Sequence, residues 1–153
     1  MAKTYPGIIL RVLQDSIAEE LELVPGDKIL AVNDMPLRDI IDFSFAMADE
    51  EIELLVEHAD GEQELIAFDK DYDEDFGVEF ERAVFDGIRP CANHCYFCFV
   101  DMIAPDMRHS LSVKDDDYRL SFLYGNFVTL TNMGAADFSR IERFHLSPLY
   151  VSV

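Results

Sequence analysis

Apolar positions fall in short runs of changing period along this chain, and the periods predict its elements. Residues 7–13 (Gly-Ile-Ile-Leu-Arg-Val-Leu) form a β-branched apolar run that predicts a strand. Ser16 caps a short helix through Glu20, with Leu21 and Leu23 facing a core. Pro25-Gly26-Asp27 is a turn, and residues 28–33 are the next strand, closed by Asn33-Asp34. Residues 39–48 carry Ile40, Ile41, Phe43, Phe45 and Met47 at helical spacing on two faces, which predicts a well-buried helix. Residues 51–57 and 62–68 alternate apolar and polar, joined by Asp60-Gly61, a strong hairpin signal.

The second half has a different rhythm. Residues 82–89 read as a strand leading into a polar loop. Asp115-Asp116-Asp117 precedes a helix over 118–124, acids at the positive end of its dipole, and Gly125-Asn126 ends it. Residues 127–132 read as a strand. Residues 135–144 read as a helix with Phe138, Ile141 and Phe144 on one face, and residues 148–153 as a third strand. Strands alternating with helices imply βαβ units and a parallel sheet.

Charge divides the chain at the same place. Residues 1–82 hold 23 acidic and 6 basic side chains, whereas residues 83–153 hold 8 and 6. This predicts two modules, 1–82 and 83–153. The acidic balance argues against nucleic acid, whose phosphates need Lys and Arg, and against anionic membrane surfaces. No run approaches the roughly 20 apolar residues of a membrane helix, so the chain reads as soluble and cytoplasmic. The run 69–81 is dense in acid. Asp71, Asp73 and Asp75 match the start of a calcium loop, but Gly77 falls one place late, and a solvated connection explains the run.

Chemistry concentrates in one stretch: Cys91-Ala92-Asn93-His94-Cys95-Tyr96-Phe97-Cys98, with no further cysteine in the chain. Three thiolates can hold three corners of a four-iron cluster and leave one iron open to a small molecule. A structural zinc normally takes four ligands; His94 is the one candidate, and as the neighbour of Cys95 it converges poorly on the same ion. Inert thiols packed as small apolar groups are the third reading. His94, His109 and His145 can titrate near neutrality. Asp115-Asp116-Asp117 can take a hard cation, and Arg108, Lys114 and Arg119 can meet a carboxylate.

The C-x3-C-x-aromatic-C run resembles the signature of the radical S-adenosylmethionine (radical SAM) superfamily. The resemblance implies a 4Fe-4S cluster on Cys91, Cys95 and Cys98, and S-adenosyl-L-methionine on the open iron. Phe97 takes the aromatic place beside the adenine. Many members carry Gly-Gly-Glu at the end of the second barrel strand to hold the SAM amino group; here that place departs and reads Leu130-Thr131-Asn132, where Asn132 either accepts from the amino group or caps the strand end. The family's chemistry also implies an electron donor such as a flavodoxin or ferredoxin.

Ser16-Ile17-Ala18 and the run from Leu23 through Pro25-Gly26-Asp27 to Asn33 resemble a PDZ-like domain. That resemblance implies a peptide or protein partner, with Phe76-Gly77-Val78-Glu79-Phe80 as the candidate carboxylate loop. Together with residues 110–132, the chain resembles a bacterial radical SAM family of unknown function that carries an N-terminal PDZ-like domain. The expected fold is therefore an α+β PDZ-like domain, a small β-barrel or sandwich with short helices. The first βα units of an incomplete α/β, TIM-like radical SAM barrel follow it. A full eight-unit barrel takes about 250 residues, so three strands predict the N-terminal portion of a longer protein. The competing function is a PDZ-like binding module whose iron–sulfur or zinc site is passive.

Overall fold

The alternating run in the first half folds as its period demands. Strand β4 (Glu51–Glu57) turns Ile52, Leu54 and Val56 inward, each at most 2% exposed, while Glu51 and Glu53 face solvent. The computed structural model describes residues 3–152, and the chain packs as two units, Met1–Gly87 and Ile88–Val153.

In the first unit, β1 (Gly7–Val12), β2 (Lys28–Val32), β4, β5 (Gln63–Asp69) and β6 (Val78–Phe80) form an antiparallel sheet in the order β5-β4-β2-β1-β6. The short β3 (Met35–Pro36) pairs beside β2. Helices α1 (Ile17–Glu20) and α2 (Ile40–Ala46) start at the residues whose side chains can cap them. Ser16 Oγ accepts from Glu19 N at 3.3 Å, and an Asp39 carboxylate oxygen accepts from Asp42 N at 3.0 Å. The core holds Ile9, Ile29, Val32, Leu37 and the inward face of β4. Aromatic rings close it: Phe43 of α2 meets Phe80 edge-on at 4.9 Å, and Phe76 stacks on Phe68 at 5.6 Å.

Two buried charges organise the loops of this unit. Lys70 lies buried, and its Nζ donates to the carbonyls of Asp71 (2.9 Å), Tyr72 (3.4 Å) and Glu74 (3.2 Å). The acidic run therefore turns its backbone oxygens onto an internal ammonium. Asp27, 1% exposed, accepts from Val24 N, Ala59 N and His58 Nδ1, tying the Pro25-Gly26-Asp27 turn to the β4–β5 hairpin.

In the second unit, α3 (Tyr118–Tyr124) ends at Gly125, whose φ of 75° is left-handed. β7 (Phe127–Val128), α4 (Ala135–Phe144) and β8 (Tyr150–Val151) follow, and β7 pairs with β8 in parallel, Phe127 opposite Tyr150. Two expectations change. Residues 82–87 are not a strand; they wrap the start of α2 in the first unit, Ala83 O accepting from Ile40 N and Phe85 N donating to Arg38 O. The strand at 127–132 stops at Val128, because Leu130 takes a left-handed φ of 62°. Phe138 on α4 stands 48% exposed, while Phe144 is buried. The last residue of the expected strand 148–153 lies outside the described residues. No helix among the described residues is long and apolar enough to cross a membrane.

His58 generates a pH prediction. Its pKa is raised above the ordinary value, first by the hydrogen bond to Glu64 and then, against the cost of burial, by Asp27. A group with a raised folded pKa contributes fully below its unfolded pKa of about 6.5 and loses that contribution as pH rises through the folded value. The variant His58→Gln is expected to lose thermal stability relative to the parent chain at pH 5.5, with the gap narrowing by pH 8.5. Parallel pH profiles of melting temperature for the two chains would refute the link.

Candidate cofactor site

The cysteine loop is irregular, and its position comes from what grips its ends. Arg89 and Pro90 lead into it. Asp116 N donates to Arg89 O at 2.9 Å, and Arg89 N donates to Asp117 Oδ2 at 3.1 Å. The Arg89 guanidinium bonds Asp137 of α4 at 2.7 Å and lies over the Tyr118 ring at 5.5 Å; the hydrogen bond to Asp137 raises its pKa. Cys91 N then donates to Lys114 O at 2.8 Å, and the Lys114 ammonium pairs with Asp101 at 2.7 Å beyond the last cysteine.

The acidic triplet stands at the start of α3, as expected, and does more there than complement a dipole. Asp116 and Asp117 are 2% and 0% exposed, so they stand at the helix start and also act as internal clamps. Asp117 caps α3 through Arg119 N (3.0 Å) and takes the Arg119 side chain at Nε (2.9 Å) and Nη2 (2.7 Å). Burial works against its charge, yet Arg119 holds its pKa below the usual carboxylate range. Arg119, 2% exposed, is committed to that pair and does not face a substrate carboxylate.

Asp116 grips the end of β7. Its carboxylate accepts Thr129 N and Thr129 Oγ1, both at 2.6 Å. The left-handed Leu130 turns the chain, and Asn132 Nδ2 donates to Pro90 O at 3.3 Å, beside Cys91. Asn132 Oδ1 is buried and has no hydrogen-bond partner among the described residues. Asn93, inside the cysteine run, reaches back with Nδ2 to Thr131 Oγ1 at 2.7 Å, Thr129 Oγ1 at 3.2 Å and Cys91 Sγ at 3.6 Å.

The structure therefore brings Cys91, Asn93 and the strand-end residues Thr129, Thr131 and Asn132 together. All three cysteines are free thiols, Cys95 exposed and Cys91 and Cys98 partly so. Among the described residues, no three His, Cys, Asp or Glu side chains gather closely enough to hold a metal ion. The donor set, three thiols on one irregular loop, is of the chemical kind that an iron–sulfur cluster takes. Phe97 is 75% exposed, edge-on to Tyr96 at 4.9 Å, and Phe99 is 83% exposed. His94 and His109 are exposed, and His145 forms the left-handed end of α4 with φ of 50°. Sequence reasoning missed Asn93 and the two threonines; an asparagine between cysteines carries no signal until its partners are placed beside it.

The candidate carboxylate loop of the first unit is turned inward. Phe76 is buried, and the Phe76 and Gly77 carbonyls accept from Ala18 N and Leu13 N. The Gly77 amide donates to Asp75. Gly77 has φ of 82°, and a Cβ there would lie 2.2 Å from Ser16 Cβ, so only glycine fits.

A family model described as a radical SAM-like domain matches residues 70–153, and one described as a PDZ domain matches residues 8–58. Among solved structures, the PDZ domain of an SdrC-like protein from Listeria innocua is 16% identical, with a TM-score of 0.42, covering 52% of this chain and 98% of that one. No curated protein matches the chain.

Removing one member of a buried ion pair leaves the other charge uncompensated, at a cost of about 3–5 kcal/mol. Asp117→Ala is expected to lower the opening free energy of α3 and β7 amides by that amount in hydrogen exchange. Unchanged protection of Ser121 and Val128 would show that the clamp is dispensable.

Proposed function

This chain belongs to the family of radical SAM-like domains, and on that premise we propose that its second unit holds a 4Fe-4S cluster and brings S-adenosylmethionine to it for reductive cleavage. Cys91, Cys95 and Cys98 would be the cluster ligands. When bound, the cluster supplies a low-potential electron to the sulfonium, and the protein supplies orientation and shielding.

The observation that carries this reading is the lone acceptor of Asn132. A buried carbonyl oxygen without a donor is costly, on the order of 1–3 kcal/mol, and an ammonium group offsets it. The amino group of S-adenosylmethionine is such a donor, and Asn132 is bonded to the residue that precedes Cys91. Phe97 offers an exposed aromatic face for the adenine. Asp116 and Asp117 hold the two approaches to the site in register, and the β7–α4–β8 unit is the kind of element from which a radical SAM barrel is built.

A flavodoxin or ferredoxin is the electron donor this chemistry calls for. The PDZ-like unit takes a protein or peptide partner. The commitment of the Gly77 amide to Asp75 favours docking over capture of a peptide carboxylate at residues 76–80.

Anaerobic reconstitution tests the reading. About four iron per chain are expected, with an electronic spectrum that S-adenosylmethionine perturbs. Alanine at any of Cys91, Cys95 or Cys98 is expected to abolish stable iron binding. Asn132→Ala is expected to keep the iron and weaken S-adenosylmethionine about tenfold, the equivalent of one hydrogen bond near 1.4 kcal/mol. One zinc per chain, or iron indifferent to S-adenosylmethionine, would overturn it.

A further inference from the structure

Asn93 lies between the first two cysteines, and its amide faces three acceptors: Thr131 Oγ1, Thr129 Oγ1 and Cys91 Sγ. Which end of an amide carries the hydrogens is decided by its surroundings. Here a buried carboxylate decides it. Asp116 is 2% exposed and as a carboxylate only accepts, so the Thr129 hydroxyl, 2.6 Å away, spends its proton on Asp116. The Thr131 hydroxyl, 2.9 Å from that of Thr129, must then be the donor between the two. Both threonine protons are committed toward Asp116, and only lone pairs face Asn93. Asn93 must present its NH2 to this corner, and the same NH2 lies 3.6 Å from the Cys91 sulfur.

We propose that Asn93 is a positioning residue for Cys91, its amide fixed as an N–H donor to the sulfur by the hydrogen-bond chain Asp116–Thr129–Thr131. The inference rests on the reading of Cys91 as a cluster ligand. An N–H donor on a ligating sulfur draws negative charge toward itself. It therefore stabilises the reduced state more than the oxidised one and raises the reduction potential. The chain of bonds also anchors the cysteine loop to the end of β7, so the direction of the Cys91 side chain is set from outside the loop.

The test compares the full chain with Asn93→Leu, which keeps the bulk and removes the donor, and Asn93→Asp, which puts an acceptor against the sulfur. Thr131→Val leaves Asn93 and every cysteine in place but removes the hydroxyl that holds the amide. Each is reconstituted anaerobically, and iron per chain and midpoint potential are read separately. Iron equal to the parent chain with a more negative potential is expected for Asn93→Leu, a larger negative shift for Asn93→Asp, and a smaller one for Thr131→Val. Equal iron with an unmoved potential in Asn93→Leu and Thr131→Val overturns the proposal. A loss of iron with an unmoved potential in the clusters that remain also overturns it, since that is a purely structural role. Should Asn93→Leu fail to take up iron, the potential of Thr131→Val decides. A parent chain without iron overturns the cluster reading itself, and is recognised before any variant is compared.

Discussion

Two adjacent buried carboxylates hold the second unit together. Asp116 and Asp117 bind opposite sides of the segment that enters the cysteine loop, one through its backbone amide and the other through its side chain. Asp116 then fixes the end of β7, and Asp117 fixes the start of α3 and the Arg119 guanidinium. Neither strand nor helix in this unit is long enough to define the site alone: β7 has 2 residues and α3 has 7. Hydrogen-bond geometry substitutes for extent of regular structure. A buried ion pair of this kind is weak support for stability compared with apolar packing. Its contribution is better understood as specifying which segments meet.

The first unit was largely legible in the sequence. Ser16 and Asp60-Gly61 announced a helix start and a hairpin through local chemistry that tertiary packing did not override, and the apolar spacing over 39–48 gave the second helix. The alternation at 51–57 and 62–68 gave both strands. The second unit was legible in its helices, 118–124 and 135–144, and less so in its strands. The apolar run at 82–89 has strand composition, but Ala83 and Phe85 bond Ile40 and Arg38 while Arg89 bonds Asp116 and Asp117, and no local pattern encodes those partners. The run at 127–132 ends early because Leu130 adopts a conformation that its residue type does not advertise.

The candidate site divides the same way. The cysteine spacing is local, so the thiols were visible at once. Asn132 was named through resemblance alone, and the structure added the buried oxygen that lacks a donor among the described residues. Asp116, Thr129, Thr131 and Asn93 were hidden, since their meaning depends on contacts across 13 to 38 positions of chain. The acidic triplet is the instructive case. Three consecutive aspartates before a helix announce its start, but not that two of them are among the least exposed residues of the unit.

The sheet of the first unit ends on β5, whose outer side carries no strand among the described residues. Such a row of unpaired amides and carbonyls is a template for a second chain, and Leu65, 62% exposed, would reward the contact. Glu62, Glu64 and Asp69 stand along it, within a half-chain of 23 acids and 6 bases, so two copies approaching edge to edge bring like charges together. That guard is electrostatic and reaches only about 10 Å at 0.1 M ionic strength, shrinking to about 3 Å at 1 M. Brine thus removes the repulsion while leaving the sticky border intact, and the chain's colloidal behaviour is tied to the salinity around it.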